Sequence, residues 1–248
     1  MCQGWIYGFR NPEKYFPPDI PLHFASESDW IDCNVCKPDK NIKKKYDFIY
    51  ICLKVDEKKE ECDDWATYNK NWTLAKKCLE VLCGKLKLKG LLVGRKNCPL
   101  SNKCNGLMTS TEMLTNSELR EMYCKSKFIF LPNIKDASPR VLSEALCHNI
   151  PAVVNKNILG GWKYINNQTG VFFNDENDVE NSVLSVMNNL NNLSPRDYFI
   201  KNYGVINSGK RLKEFFYHNF GDEINIDEKD VEWISISNNK KNYKECNN

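Results

Sequence analysis

The stretch KFIFLPNIKDASPRVLSEALCHNIPAVVN (127–155) contains two short apolar runs separated by a loop and a helical pattern. KFIFLPN (127–133) and IPAVVN (150–155) have the length and the β-branched or aromatic content of buried strands. Between them, leucine and alanine residues recur at helical spacing and predict a helix at about 139–148. A strand, a helix and a second strand at this spacing indicate a βαβ unit with two parallel strands.

The same alternation continues upstream of this unit. It predicts these further elements: strands at YDFIYICL (46–53), KGLLVGR (89–95) and about 107–113, and helices at NWTLAKKCLEVLCGKL (71–86) and NSELREMYCKS (116–126). Asn116 or Ser117 is the expected N-cap of the second of these helices. Strands that alternate with helices in this way predict an α/β fold with a doubly wound parallel sheet.

The two ends of the chain differ from its central part. Residues 1–44 contain five of the ten prolines and no sustained apolar periodicity, so we expect an irregular segment. One or two helices are expected after residue 178, including a stretch near 207–219. Residues 222–248 are polar and are expected to form a tail, which leaves 45–221 as the central domain.

Composition limits the classes of function. Among 248 residues, 35 Lys and Arg are interleaved with 32 Asp and Glu, so the sequence lacks the concentrated basic surface that nucleic acid binding requires. The N-terminus carries charges and a proline where a signal peptide needs an apolar run. No stretch approaches the roughly 18 apolar residues of a membrane span. We therefore expect no nucleic acid partner, no membrane span and a cytoplasmic location.

The twelve cysteines are irregularly spaced, and several fall within apolar periodic stretches, where a thiol acts as a small core hydrophobe. This pattern favours a reducing compartment over a disulfide framework. Cys33 and Cys36 form the only close pair, and the chain has just three histidines to complete a metal site. No metal is therefore expected.

The loop after FIFLPN is the expected place for a ligand, because open parallel sheets bind ligands beyond the carboxyl ends of their strands. Ser138 is the expected N-cap of the following helix, with Pro139 as its first residue. The start of a helix offers unpaired N–H groups and a positive dipole end, which suit a diphosphate. Asp136 precedes this helix, and Glu144 lies on it, where a carboxylate can accept hydrogen bonds from ribose hydroxyls.

Asp136 and Glu144 are separated by seven residues, and SEALCHNIPAVVN (143–155) continues from them. This combination resembles the acidic-x7-Glu signature of glycosyltransferase family 4, the group 1 glycosyltransferases, whose GT-B fold has two Rossmann-like lobes. GGWKYINNQTGVFF (160–173) is similar to the family's Gly-rich turn and its later Thr-Gly-hydrophobic element. The resemblance covers roughly residues 45–220 and includes the enzymes of large DNA viruses of algae, whose Asn- and Lys-rich style this sequence shares.

The resemblance implies a retaining, metal-independent hexosyltransferase that uses a nucleotide-diphosphate sugar, such as a UDP- or GDP-sugar, and no cofactor. Glu144 would bind the ribose, and Asp136 would contact hydroxyls of the transferred sugar. Lys70 matches the family's diphosphate-binding Lys, and Lys54 is the nearest match to its Arg. The remaining candidates at the nucleotide are Ser138, Arg140, Gly160 and Gly161. Arg140 can equally pair with Glu144 on the helix surface, and the two glycines can equally form a turn.

Two features depart from the family. The first acidic residue is usually Glu and here is Asp136, and a complete GT-B enzyme has two lobes where this chain has room for one. The chain would then be the donor lobe, with residues 1–44 as the end of an acceptor lobe and its linker. Three interpretations remain open: a natural single-lobe remnant, a partial gene product, or half of a two-chain enzyme whose acceptor-lobe partner acts with it on an unknown glycan or protein acceptor. The alternative is a non-catalytic nucleotide-sugar-binding module or partner subunit.

Overall fold

The computed structural model describes residues 3–53, 62 and 68–224. Eight strands are present among them: β1 Trp5–Tyr7, β2 Leu22–Phe24, β3 Tyr46–Ile51, β4 Gly90–Val93, β5 Met108–Thr111, β6 Ser126–Leu131, β7 Ala152–Asn155 and β8 Gly170–Phe173. Strands β3 to β8 form one parallel sheet in the order β5-β4-β3-β6-β7-β8. The predicted α/β class and parallel sheet are confirmed.

Six α-helices connect or follow these strands in the described part of the chain. They are α1 Trp72–Leu79, α2 Asn116–Lys125, α3 Arg140–Cys147, α4 Val179–Asn189, α5 Pro195–Asn202 and α6 Gly204–Ile224. Helix α1 continues into a π-helical turn over Glu80–Lys85. Short 3-10 turns lie at Pro12–Lys14, Glu27–Trp30, Asn102–Cys104, Trp162–Tyr164 and Leu190–Asn192.

The sequence pattern located the central elements but missed some details. Strand β8 was not predicted as a strand, and three helices rather than one or two follow residue 178. The expected cap of α2 was wrong by one or two positions, because Thr115 is its N-cap. The Thr115 hydroxyl accepts from the Glu118 N–H at 3.3 Å, and the Glu118 carboxylate accepts from the Thr115 N–H at 2.8 Å. This reciprocal capping box uses a partner three residues away, which outweighs the cap preference of a single residue.

The core consists of two apolar layers, one on each face of the sheet. Because side chains alternate along a strand, successive residues of one strand enter different layers. The first layer contains Ile49, Leu91, Ile129 and Val154 with Leu142 and Leu146 of α3. The second layer contains Phe48, Leu92, Phe130 and Val153 with Ala75 and Leu79 of α1. Full burial of each large apolar side chain contributes about 1.5–3 kcal/mol to the free energy of unfolding. Because helices cover both faces, the sheet is doubly wound.

The order of the strands defines a switch point in the sheet. From β3 the chain builds outward through β4 to β5, then returns to β6 and builds in the other direction through β7 to β8. Strands β3 and β6 pair directly, with Phe48 opposite Phe128 and Ile49 opposite Ile129. The loops after these two strands therefore diverge to opposite faces of the sheet and leave a crevice between them.

Residues 3–44 are mostly irregular, as expected, but they are firmly attached to the sheet region. The Asp29 carboxylate is buried and accepts from the Tyr164 hydroxyl at 2.7 Å and from the Lys163 ammonium at 2.6 Å. The Arg196 guanidinium donates to the backbone carbonyls of Cys33 and Cys36, each at 2.8 Å. These contacts span more than 130 residues of sequence and hold the segment in place.

The chain divides into two compact units, Met1–Lys210 and Arg211–Asn248. The first unit contains both sheets. The described part of the second unit is helical, and Phe215, Phe216 and Phe220 make ring contacts within it. Among the helices in the described ranges, none combines the length and the apolar character needed to cross a membrane.

The cysteines do not all behave as the sequence suggested. Cys62 and Cys98 form a disulfide, which differs from the expectation of a reducing compartment, because the fold brings their Cα atoms to 5.6 Å although they are 36 positions apart in sequence. Several others, including Cys52, Cys78 and Cys83, are free thiols in the core. Within the described ranges, no group of three or more His, Cys, Asp or Glu side chains is placed to hold a metal ion.

The buried contacts of Asp29 predict a large effect on stability. Asp29→Ala would leave the Lys163 ammonium and the Tyr164 hydroxyl without their shared acceptor, so we expect the free energy of unfolding to fall by about 3 kcal/mol. Urea denaturation followed by circular dichroism measures this change. Asp19→Ala removes the same charge from an exposed site of the same segment and should cost less than about 0.5 kcal/mol. Equal stability of the two variants would show that the Asp29 network does not anchor the segment.

Candidate functional site

The site lies at the switch point, between the loops that follow β3 and β6. Lys70 comes from the connection between β3 and α1, and Asp136 comes from the connection between β6 and α3. The Lys70 Nζ atom lies 2.5 Å from Asp136 Oδ2, although the two residues are 66 positions apart. Two residues predicted to act on one ligand are thus in direct contact.

The backbone around Lys70 is fixed to both central strands. The Tyr50 hydroxyl, on β3, donates to the Lys70 carbonyl at 3.0 Å. Asn71 adopts a left-handed conformation with φ of 52°, and its side-chain amide donates to the Pro132 carbonyl at 3.1 Å, just beyond β6. Asparagine tolerates this conformation better than most residues. The hydrogen bonds of the Lys70 carbonyl and of the Asn71 side chain therefore fix the backbone from which the Lys70 side chain extends to Asp136.

Asn133 is a site residue that the sequence analysis missed. It is fully buried at the end of β6, and its side-chain amide donates to Asp136 Oδ2 at 2.8 Å. The Asp136 carboxylate, only 12% exposed, therefore receives Lys70 and Asn133 on the same oxygen. Among the described residues no hydrogen bond reaches Asp136 Oδ1, which leaves that oxygen as an acceptor for a ligand. A polar residue at the carboxyl end of a central strand was the available signal.

The start of helix α3 differs from the prediction. Ser138 does not cap the helix, because Pro139 occupies the N-cap position and the helix begins at Arg140. The Ser138 hydroxyl instead accepts from the Ser28 N–H at 3.1 Å and lies 2.9 Å from the Ser28 hydroxyl. This contact with the N-terminal segment competes with local capping. No side chain in the described ranges caps α3, so the positive end of its dipole faces the loop that carries Asp136.

Glu144 lies in the second turn of α3, and its side chain is 20% exposed. The buried Tyr123 hydroxyl donates to Glu144 Oε2 at 3.0 Å. Burial raises the pKa of Glu144, and the hydrogen bond from Tyr123 and the charges of Arg140 and Arg120 oppose this rise. The cost of keeping this carboxylate ionised is therefore only partly compensated within the chain.

The other predicted basic residues lie in different surroundings. The Arg140 guanidinium is 60% exposed and 4.0 Å from Glu144 Oε1, a weak surface ion pair. Lys54 lies outside the described residues. Arg95, a further cation near the sheet edge, is buried over the Trp72 ring, and its guanidinium donates to the Cys52 sulfur and the Cys62 carbonyl. These contacts give Arg95 a role in packing.

Gly160 and Gly161 pack against the loop that carries Asp136. A Cβ atom on Gly160 would overlap the Ala137 carbonyl oxygen and lie 2.8 Å from the Gly8 carbonyl oxygen. The Gly160 N–H donates to the Asp136 carbonyl at 2.9 Å. Gly161 has a φ of +74°, and a Cβ there would meet the Pro139 ring at 2.5 Å. The pair therefore permits close backbone packing that shapes the site, and direct contact with a nucleotide stays a prediction.

Comparison with known proteins identifies the fold. No protein-family model and no curated protein sequence matches the chain. Sucrose-phosphate synthase from Thermosynechococcus elongatus matches in structure with a TM-score of 0.60 and 11% identity, over 85% of this chain and 56% of that one. HepE from Anabaena, solved in complex with UDP and glucose, matches with a TM-score of 0.63 and 9% identity, over 87% of this chain and 63% of that one.

A third structure indicates which part of such proteins the chain resembles. The C-terminal domain of a group 1 family glycosyl transferase, LpcC from Francisella tularensis, matches with a TM-score of 0.51 and 10% identity, over 71% of this chain and 99% of that domain. The chain therefore covers less than two thirds of the length of the first two structures. Identities this low show a shared fold alone, and that fold is one lobe of the GT-B architecture.

The packing of Gly160 predicts a stability effect that separates its two interpretations. Gly160→Ala would push the Asp136 loop away from its neighbours, so we expect the free energy of unfolding to fall by about 2 kcal/mol. Chemical denaturation measures it. Gly84→Ala is the matched control, because the three atoms nearest to a Cβ at Gly84 all belong to the Lys103 side chain, at 3.0–3.5 Å, and none is a backbone atom. A Gly160→Ala chain as stable as the control would show that the close packing at Gly160 does not stabilise the fold.

Proposed function

We propose that the chain is the donor-binding lobe of a retaining glycosyltransferase, which transfers a hexosyl group from a nucleotide-diphosphate sugar. The contact between Lys70 and Asp136 at the switch point is the observation that carries this proposal. A cation beside a carboxylate suits the two groups on either side of the bond that breaks, the diphosphate and the sugar. The donor, such as a UDP- or GDP-sugar, is a substrate, and no cofactor is proposed.

The diphosphate would bind Lys70 and the start of α3. The N–H groups at the start of a helix and its positive dipole end attract phosphate oxygens, and the uncapped α3 faces the Asp136 loop. As the bond to the sugar breaks, negative charge grows on the leaving diphosphate. A fixed ammonium and fixed backbone dipoles stabilise that charge without reorganisation. We propose that they supply this stabilisation in place of a metal ion.

The sugar and the ribose would bind the two carboxylates. Asp136 Oδ1 would accept hydrogen bonds from hydroxyls of the transferred sugar, because Oδ2 already accepts from Lys70 and Asn133. Glu144 Oε1 would accept from the ribose, because Oε2 already accepts from Tyr123. Fixing one oxygen of each carboxylate orients the other toward a ligand and lowers the entropy lost on binding.

The ion pair between Lys70 and Asp136 also predicts an exchange of partners. A diphosphate carries more charge than one carboxylate, so it would compete with Asp136 for the Lys70 ammonium. Asp136 Oδ2 would then keep its hydrogen bond from Asn133, while Oδ1 accepts from the sugar. Binding of the donor would thus convert one contact into two.

The stereochemical course is part of the proposal. An acceptor hydroxyl would attack the oxocarbenium-like centre from the face of the departing phosphate, which retains configuration without a covalent intermediate. The acceptor is a glycan or protein of unknown identity. The reaction also needs an acceptor lobe, and we propose a partner as its source.

A non-catalytic nucleotide-sugar-binding module is the second candidate. The Asp136 position favours the enzyme, because a carboxylate beside the sugar is not needed to bind a nucleotide. For the module, binding of the nucleotide sugar to this lobe without turnover is sufficient. Hydrolysis of a bound nucleotide sugar by the chain would distinguish the two, because only the enzyme turns over its donor.

The ribose assignment predicts opposite effects of Glu144→Gln on binding and on stability. The ionised carboxylate should bind ribose hydroxyls more strongly than a neutral amide, so affinity for UDP or GDP should fall roughly tenfold. Because the pKa of Glu144 is raised in the folded state, the folded chain binds more protons at this carboxyl than the unfolded chain does. Its contribution to the free energy of unfolding therefore falls as the pH rises from the unfolded-state pKa to the folded-state pKa. Glu144→Gln should therefore be no less stable than the wild type at pH 7. Titration calorimetry and urea denaturation measure both, and unchanged affinity for every nucleoside diphosphate would remove the assignment.

The exchange of partners predicts that Asp136→Asn separates the sugar from the nucleotide. Without the competing carboxylate, Lys70 is free for the diphosphate, so UDP or GDP should bind about threefold to tenfold more tightly. The corresponding nucleotide sugar should lose affinity relative to the diphosphate, and any hydrolysis should slow by about 100-fold. Calorimetry with both ligands is the measurement, with the exposed Asp19→Asn as the control for net charge. Equal losses for both ligands would indicate that Asp136 has a structural role.

A further inference from the structure

Tyr123 connects helix α2 to the proposed ribose-binding carboxylate. Its side chain is completely buried, and its hydroxyl donates to Glu144 Oε2 at 3.0 Å. Its ring packs on the His148 ring, with the centroids 5.1 Å apart. A ring nitrogen of His148 lies 2.7 Å from the Glu144 backbone carbonyl. One aromatic pair therefore contacts both the side chain and the backbone of Glu144.

We propose that Tyr123 is a positioning residue, which fixes Glu144 Oε2 so that Oε1 is presented to a ribose hydroxyl. This inference rests on the proposed function, in which Glu144 binds the ribose. Tyr123 itself would touch no ligand, since none of its surface is exposed.

The hydroxyl of Tyr123 is well suited to this task. A glutamate side chain has several rotatable bonds, and the conformational entropy lost when a ligand fixes them weakens binding. This cost is smaller when the side chain is already fixed in the free protein. The other polar partner, Arg140, is exposed and 4.0 Å away, too far to fix an oxygen. The Tyr123 ring is held by core packing, so its hydroxyl has one place to donate.

The reverse interpretation is that Glu144 serves only to accept from a buried tyrosine. A neutral amide or a backbone carbonyl would satisfy that hydroxyl without the cost of burying a charge. Burial raises the pKa of Glu144, so the carboxylate is an expensive acceptor for structure alone. The pair is better explained by a tyrosine that serves the carboxylate than by a carboxylate that serves the tyrosine.

Tyr123→Phe removes the hydroxyl and preserves the ring. We expect roughly tenfold weaker binding of UDP or GDP in titration calorimetry. The same titrations with the 2′-deoxy and 3′-deoxy forms of the nucleotide test the contact. The form that lacks the hydroxyl bound by Glu144 should have equal affinity for the wild type and for Tyr123→Phe. In a Glu144→Gln background, Tyr123→Phe should cause at most a small further loss, because the carboxylate that it positions is absent.

The pH dependence supplies a readout that a purely structural tyrosine would not move. The Tyr123 hydrogen bond lowers the pKa of Glu144 against the effect of burial, so its loss should raise that pKa. Nucleotide affinity should then decline at a higher pH in Tyr123→Phe than in the wild type as the solution is acidified. Arg140, Arg120, Cys36 and His148 also surround this region and are unchanged in the variant.

Tyr164→Phe is the matched control, because Tyr164 is also fully buried and donates to a carboxylate, that of Asp29, at 2.7 Å. It should lose stability but keep the nucleotide affinity and its pH dependence. If the wild type binds a nucleoside diphosphate and Tyr123→Phe matches it in affinity and pH dependence, this inference is overturned and the proposed function stands. If the wild type binds neither UDP nor GDP, the proposed function fails first and the inference with it.

Discussion

The parallel pairing of β3 with β6 is the constraint on which the site depends. Two helices and two strands lie between them in sequence, yet Phe48 lies opposite Phe128 in the centre of the sheet. Their large apolar side chains fill both core layers, so the pairing cannot shift by one residue without exchanging the two faces. Because both strands end at the same edge, Lys70 and Asp136 meet there. The contact between Lys70 and Asp136 is thus a consequence of the core packing that fixes the pairing of β3 with β6.

The sequence predicted the elements better than their connections. Periodicity located the central strands and helices, and resemblance to a family selected Lys70, Asp136 and Glu144 as a group. Neither could supply Asn133 or Tyr123, because their roles depend on loop conformation and on which helices become neighbours. Periodicity reports which face of an element is apolar and carries no information on such contacts. Ser138 shows the same limit, since its partner Ser28 is 110 residues away.

Several site residues are poor choices for stability. Glu144 is a mostly buried carboxylate with a raised pKa, and the buried side-chain oxygen of Asn133 has no hydrogen-bond partner in the described part of the chain. Each costs free energy of folding that a well-packed apolar side chain would not. Residues of this kind are expected where function rather than folding determines the side chain. Both residues lie on the stretch from the end of β6 through α3 that also carries Asp136, which is an argument for a site that does not rely on resemblance.

The N-terminal segment packs directly against the loop that carries Asp136. The Gly8 carbonyl and the Ala137 carbonyl both approach Gly160 too closely for a side chain, and Ser28 holds the hydroxyl of Ser138. The loop that carries Asp136 is therefore enclosed by the segment on one side and by the Gly160 turn on the other. Displacing the segment would release Ser138 and loosen the backbone that presents Asp136. The precise placement of the Asp136 carboxylate, which we propose binds the sugar, thus depends on residues of the N-terminal segment and the Gly160 turn that are not proposed to contact a sugar.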